Sequence, residues 1–161
     1  GAQNNGDSGT TNRVLATFLT WLSEKTSPVF VVATANNVDV IPAEILRKGR
    51  FDEMFFLDLP TREERESIFE VHLKKYRPTA LEKFQLPLLS QVSKEFSGAE
   101  IEQVIIEAMR LGFNKEREFT NEDVLISIQK LVPLARTKNK EISLLKEWSK
   151  SGNVTSASKF D

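Results

Sequence analysis

Two arginine residues, Arg47 and Arg50, lie three positions apart in the short charged segment RKGRFD. A guanidinium group stays protonated at physiological pH, and its planar fork of donors matches the oxygens of a phosphate group. Such a pair could stabilise the negative charge that develops during phosphoryl transfer. A charged loop is more often a solvated connection, so the pair alone leaves both interpretations open.

An amide side chain, Asn36, follows the apolar run at residues 29–33. This run has no polar alternation, which is typical of a strand buried on both faces in a parallel sheet. Ligands in open α/β sheets bind at the carboxyl ends of the strands. Asn36 is therefore a candidate for contact with a ligand, and the alternative is an ordinary turn asparagine.

Two further pairs of residues are of interest for their spacing or their small size. Ile68 and His72 lie four residues apart, which places them on one face of a predicted helix. Gly98 and Ala99 begin another predicted helix, where free backbone N–H groups and small side chains could admit a ligand. A structural histidine and a plain helix cap would explain the same residues.

Several other chemistries are excluded or disfavoured. The chain has no cysteine and one histidine, so it lacks the residues for disulfides, thiol catalysis or zinc fingers. Gly1 and Gly6 have the spacing of a phosphate-binding loop, but Asp7 stands where a lysine is needed. Asp58 ends an apolar run, as a magnesium-binding aspartate would, but Leu59 replaces the expected glutamate. We predict no metal site within this chain.

The composition is that of a globular protein. The 161 residues are 40% hydrophobic and 28% charged, and 22 basic against 23 acidic side chains give a net charge of −1. A dedicated nucleic-acid binder would have a basic excess, so a nucleic-acid partner is disfavoured. No apolar run approaches the ~18 residues of a membrane-spanning helix, and we expect no membrane partner.

The first part of the chain has the pattern of an α/β unit. A polar start at residues 1–11 predicts a loop, and an apolar stripe predicts a helix from about Asn12 to Lys25. Strands are predicted at residues 29–33 and 54–57, with a short helix between them at 42–46. Because two strands cannot form a stable doubly wound sheet, we expect the truncated end of a larger sheet.

The pattern becomes helical after Pro60, where three capping boxes precede apolar stripes with helical spacing. The boxes pair Thr61 with Glu64, Ser97 with Glu100, and Thr120 with Asp123. A further short helix is predicted at residues 86–96. These signals predict a four-helix unit over residues 61–133, followed by a polar tail that frays.

The segment from Ala43 to His72 reads AEILRKGRFD, then LP, then RESIFEVH. It strongly resembles the second region of homology of the AAA family of ATPases. Asn36 before it and the segment FSGAE after it stand in the order found in that family. The resemblance covers roughly residues 10–132, and it is strongest to the plastid and cyanobacterial open-reading-frame group of AAA proteins.

This resemblance implies catalytic roles for three residues. Asn36 would be sensor 1, the amide that orients the attacking water beside the γ-phosphate. Arg47 and Arg50 would be arginine fingers that reach into the site of a neighbouring subunit, which implies a homo-oligomer, typically a hexameric ring. Val38 departs from the proline that is usual in the family.

The resemblance also implies a nucleotide site. Ile68, His72, Gly98 and Ala99 would contact the adenine base, with ATP and Mg²⁺ as cofactors of the full-length protein. Ala99 stands where some other AAA+ groups have an arginine, which is similar to the classical clade. The phosphate-binding loop, the acidic magnesium strand and the pore loop are expected upstream, so this chain alone should bind ATP weakly and hydrolyse none.

The resulting prediction has three parts. Residues 1–60 would be an α/β remnant, namely the two-stranded end of a P-loop NTPase parallel sheet. Residues 61–133 would be an all-α lid subdomain, and residues 134–161 a partly disordered C-terminal extension.

The predicted function is that of an AAA ATPase segment whose full-length protein remodels an unknown protein substrate in the cytoplasm or the plastid stroma. Two alternatives stay open. One is a non-catalytic adaptor that kept only an oligomerisation surface, although an intact RKGRFD segment disfavours it. The other is the lid of a DNA-associated replication ATPase, which the near-neutral charge and Ala99 disfavour.

Overall fold

A computed structural model of the chain describes residues 5–35, 51–150 and 154–158. The chain separates into two compact units, residues 1–54 and residues 55–161. Asn36, Arg47, Arg50 and the expected short helix at 42–46 lie outside the described residues. Among the described residues, no helix is both long enough and apolar enough to cross a membrane.

The first unit contains one long helix, α1 (Asn5–Glu24). It begins seven residues before the predicted start, because the polar residues ahead of Asn12 continue the helical turns. Phe18 and Trp21 stack with ring centroids 5.9 Å apart, and Leu19 is buried.

The strand predicted at residues 29–33 is not formed. These residues are neither helix nor strand, and the Phe30 side chain is 93% exposed. High β-propensity favours a strand only when another strand supplies hydrogen-bond partners, and no described strand pairs with this run.

The second unit begins with strand β1 (Phe55–Phe56), which lies within the predicted strand at 54–57. The helices α2 (Arg62–Tyr76), α4 (Gly98–Asn114) and α5 (Asn121–Lys130) confirm the positions expected from the three capping boxes. Between α2 and α4 lie a 3₁₀ turn (Leu81–Lys83) and α3 (Leu86–Val92), which ends four residues before the predicted end at residue 96. The prediction of a short sheet remnant followed by helices is confirmed.

Residues 134–158, expected as a frayed extension, contain α6 (Leu134–Thr137), α7 (Asn139–Ser149) and strand β2 (Thr155–Ser156). β2 pairs in parallel with β1, with Phe55 opposite Thr155. Asp58 forms an ion pair with Lys146 of α7 at 2.8 Å. The sheet therefore takes its second strand from the C-terminal segment, where the sequence pattern gave no strand signal.

One hydrophobic core holds helices α2 to α5 together. Phe69 and Leu73 of α2 pack with Ile101 and Ile105 of α4, and all four side chains are fully buried. The remaining buried members of this core are Phe84, Leu89, Phe96, Val104, Ala108, Phe119, Val124 and Ile128. The apolar stripes read from the sequence are thus the faces that meet in this core.

Candidate functional site

Both helices that carry the predicted adenine-side residues begin at a reciprocal cap. At the start of α2, Thr61 N donates to Glu64 Oε2 at 2.8 Å, and Glu64 N donates to Thr61 Oγ1 at 3.3 Å. Ser97 and Glu100 exchange the equivalent bonds at 2.8 and 3.4 Å before α4. Each cap satisfies backbone groups that the first turn leaves unpaired, so it sets where the helix begins.

A buried arginine ties α2 to its neighbours. Arg65 is 7% exposed and donates two hydrogen bonds to Ser90 O of α3, at 3.1 and 3.0 Å, and one to Pro60 O at 2.6 Å. Burial lowers the pKa of Arg65 from its ordinary value, although the group stays charged at neutral pH. These bonds hold α2 in position relative to α3 and to the chain that leads into it.

The facing sides of α2 and α4 meet in two successive contacts. A Cβ atom built on Gly98 would lie 3.9 Å from Cδ1 of Ile68 and 4.0 Å from its Cγ2. One helical turn further on, His72 Nδ1 lies 3.5 Å from Glu102 Oε1. Ile68 and His72 of α2 therefore lie along the line of contact with Gly98 and Glu102 of α4, which we call the seam between α2 and α4.

The Glu102 carboxylate is the centre of a polar network at this seam. Its Oε1 accepts from Lys75 Nζ at 2.8 Å and from Tyr76 Oη at 3.1 Å. The hydrogen bond from Lys75 and then that from Tyr76 lower the pKa of Glu102, and the bond to Glu102 raises the pKa of Lys75. The seam thus has an apolar end at Ile68 and a charged end at Glu102.

The structure places the predicted site residues unequally. Ile68 and His72 are half-buried beside α4, Gly98 is half-buried, and Ala99 is exposed in the first turn of α4. The three residues predicted to act in catalysis lie outside the described residues. Sequence reasoning missed Glu102, although its position four residues after Gly98 places both on one helical face.

A separate groove of about 230 Å³ lies between α3, α5 and the segment that follows α5. It is lined by Val92, Lys94, Phe96, Leu125, Ile128, Gln129, Leu131, Pro133 and Arg136. Of the predicted site residues that the structure describes, namely Ile68, His72, Gly98 and Ala99, none lines this groove. The seam between α2 and α4 and this groove are therefore different surfaces.

Known proteins resemble this chain over most of its length. Residues 1–59 match the family model described as the ATPase family associated with various cellular activities (AAA). The chain is 57% identical over 153 residues to the AAA domain-containing protein ycf46 of Trieres chinensis, covering 95% of this chain and 31% of that relative. It is also 57% identical over 158 residues to ycf46 of Guillardia theta, covering 98% of this chain and 31% of that relative.

A more distant relative is the proteasome-activating nucleotidase of Saccharolobus islandicus, strain M.14.25 / Kamchatka #1. It is 36% identical over 104 residues, which cover 64% of this chain and 26% of that protein. The chain thus spans less than a third of the length of each of these relatives. Together with the order of the RKGRFD and FSGAE segments, the family match and these identities lead to one conclusion. The chain belongs to the AAA family of ATPases.

Proposed function

We propose that this chain is the arginine-finger and lid portion of an ATPase that couples ATP binding and hydrolysis to the remodelling of a macromolecular partner. Membership of the AAA family supports the ATPase activity. The full-length protein would act as a homo-oligomer, in a ring of six subunits, on a protein substrate. The similarity to ycf46 proteins supports a place in the plastid stroma or the cytoplasm.

The observation that carries the proposal is the bare glycine at the seam between α2 and α4. Gly98 packs directly against Ile68, because a Cβ atom built on it would be in ordinary van der Waals contact with the Ile68 side chain, at 3.9 and 4.0 Å. An adenine ring would lie over this contact, with Ile68 against its apolar face. His72, one turn further along α2, would offer a polar ring to the edge of the base, and the small side chain of Ala99 would leave room for the ligand to enter.

The proposed roles of the remaining residues come from the family resemblance. Asn36 would orient the attacking water, and Arg47 and Arg50 would act from one subunit on the nucleotide of its neighbour. Their guanidinium groups would contact negative charge that grows in the transition state. They would therefore raise the rate of hydrolysis more than the affinity for ATP. Magnesium would be held with the phosphates by residues of the full-length protein outside this chain.

The adenine site is tested by adding bulk at Gly98, next to Ile68. Gly98→Val in the full-length protein should raise the dissociation constant for ATP by about tenfold or more, since its methyl groups would occupy the space of the base. Gly98→Ala should fold normally, and Val71→Ala is the control, because Val71 is 64% exposed on α2. Unchanged ATP affinity in a folded Gly98→Val protein would contradict the site.

The finger role is tested by Arg50→Ala in the full-length protein. This variant should lose about 10³–10⁵ in hydrolysis rate while its ATP affinity stays nearly unchanged. Arg50→Lys should also fail, because an ammonium group cannot reproduce the planar fork.

Mixing experiments separate action between subunits from action within one subunit. Arg50→Ala subunits should regain activity when they assemble with subunits whose phosphate-binding loop is disabled. At some interfaces of such a mixed ring, an intact phosphate-binding loop from one subunit meets an intact Arg50 from its neighbour. An Arg50→Ala protein that keeps its rate would refute the finger role. Absence of rescue in confirmed mixed rings would refute action between subunits.

A further inference from the structure

The polar end of the seam contains an unusual histidine atom. Among the described residues, Nδ1 of His72 is the one buried side-chain nitrogen or oxygen atom without a hydrogen-bond partner. It lies 3.5 Å from Glu102 Oε1, just beyond the usual hydrogen-bond range of about 2.7–3.2 Å. A buried ring nitrogen this close to a carboxylate oxygen interacts more favourably as an N–H group than as a bare lone pair.

The carboxylate itself is held in place by two donors from α2. Lys75 Nζ and Tyr76 Oη both donate to Oε1 of Glu102, the same oxygen that faces His72. These bonds favour the ionised carboxylate and restrain its rotation. The charge opposite His72 is therefore negative and well positioned.

We propose that Glu102 is a positioning residue that keeps the proton of neutral His72 on Nδ1. A lone pair on Nδ1 would face the lone pairs of Glu102 Oε1 and be repelled, whereas an N–H group there is attracted by the carboxylate. The other ring nitrogen, Nε2, is then the acceptor. In the described part of the chain Nε2 makes no hydrogen bond and is not buried, so it is open to a ligand.

This assignment deepens the proposed adenine site and rests on it. An acceptor at Nε2 suits a base that carries an amino group at its 6-position, because that group donates. A base with a 6-oxo group, such as hypoxanthine, would place one acceptor against another. Glu102 therefore makes His72 selective for adenine over 6-oxopurines, although it need not touch the base itself.

The first experiment measures the tautomer without any nucleotide. His72 is the single histidine of the 161-residue chain, so long-range ¹H–¹⁵N NMR of the labelled protein reports its ring alone. At a pH where the ring is neutral, the spectrum should show the Nδ1–H form. Glu102→Ala should shift the population to the Nε2–H form, which neutral histidine favours in water.

A matched control is available on the same helix. Glu107 of α4 pairs with Arg110 at 2.8 Å, and its side chain is 34% exposed, against 32% for Glu102. Glu107→Ala should therefore leave the His72 tautomer unchanged. An Nε2–H form in the unmodified chain, or an unchanged tautomer in a folded Glu102→Ala protein, would overturn the positioning role.

The second experiment measures selectivity in the full-length protein by competition between ATP and inosine triphosphate, which differ in the 6-amino and 6-oxo groups. The unmodified protein should prefer ATP by about tenfold, the usual effect of one hydrogen bond in a partly exposed site. Glu102→Ala should lose most of that preference, and Glu107→Ala should keep it.

The two experiments distinguish the failure of each idea. If the tautomer behaves as expected but neither nucleotide binds the full-length protein, the proposed adenine site is wrong and the selectivity falls with it. If ATP binds and Gly98→Val weakens it, but Glu102→Ala keeps the full preference for ATP, the site stands and the role of Glu102 in selectivity is refuted.

Discussion

A buried aspartate, Asp123, offers the most direct test of how the helical unit is stabilised. Its side chain is 1% exposed, and it accepts hydrogen bonds from Arg117 Nη1 at 2.6 Å and Nη2 at 3.0 Å. It also accepts from Thr120 N at 2.9 Å, which closes the cap of α5, and it lies 3.5 Å from Lys115 Nζ. The perturbation is Asp123→Asn, which keeps the shape and removes the charge.

The expected loss follows from those bonds. Hydrogen bonds to a charged group contribute about 1.5–3 kcal/mol, and solvent reduces the Arg117 contribution because that side chain is 40% exposed. Asparagine can still cap the helix. We therefore expect Asp123→Asn to lower the free energy of unfolding by about 2 kcal/mol, and Asp123→Ala by about 1 kcal/mol more because the cap is lost as well.

The pH dependence of stability tests the charge of Asp123 independently. The bonds from Arg117, and then those from Thr120, lower the pKa of Asp123 well below its ordinary value. A carboxylate with a lowered pKa contributes stability that is present above the unfolded pKa of about 3.9 and is lost as the pH falls further. The stability gap between the unmodified chain and Asp123→Asn should therefore be full at neutral pH and shrink below about pH 4.

Urea denaturation followed by circular dichroism, at pH 7 and at several values between pH 5 and pH 2.5, measures both quantities. Glu107→Ala is the control, because it removes an exposed ion pair of α4 and should leave the denaturation midpoint unchanged. In a protein that already carries Arg117→Ala, Asp123→Asn should cost less unfolding free energy, because the interaction between these two residues is already lost. A loss below about 0.5 kcal/mol for Asp123→Asn, or a gap independent of pH, would refute this account.

Two other predictions concern packing and local stability. Gly112→Ala should destabilise the chain by about 1–3 kcal/mol in urea denaturation, although alanine normally favours a helix. The reason is that the new Cβ would lie 2.7 Å from Phe119 N and 2.9 Å from Arg117 O. Gly98→Ala, which creates no such close contact, is the control, and equal losses of stability in the two variants would contradict the argument. The backbone amides of Val104 and Ile128 lie in helices and their side chains are buried, whereas Val31 lies in no helix or strand. Hydrogen exchange at Val104 and Ile128 should therefore be slower than at Val31 by about a hundredfold or more. Comparable exchange rates would mean that residues 29–33 pair as a strand in solution.

Much of the helical unit could be predicted because its signals are local. The boxes at Thr61, Ser97 and Thr120 each involve groups three residues apart, and all three form as expected. The apolar stripes between them identify the buried faces, such as the one that includes Phe69 and Leu73. Cap and stripe agree in each helix, so the bounds of α2, α4 and α5 follow from short-range chemistry.

The strand at Phe55–Phe56 was predicted, but its pairing partner could not be. The run at residues 29–33 has the stronger β signal, yet the described sheet joins Phe55–Phe56 to Thr155–Ser156. A strand is stabilised by a partner that can lie anywhere in the chain, and propensity does not identify that partner. The ion pair between Asp58 and Lys146 and the bond from Ser158 Oγ to Glu64 Oε1 at 2.7 Å hold the C-terminal segment near β1.

The candidate site likewise has features that follow from local spacing and features that depend on tertiary packing. The sequence alone determined that Ile68 and His72 share a helical face and that Gly98 begins a helix, because both facts depend on spacing within one helix. Only the tertiary structure decided that these faces meet, and that Glu102 lies 3.5 Å from His72 with Lys75 and Tyr76 holding its carboxylate. The physical reason is that contacts between helices depend on how α2 and α4 pack through the shared core, which no spacing within either helix encodes.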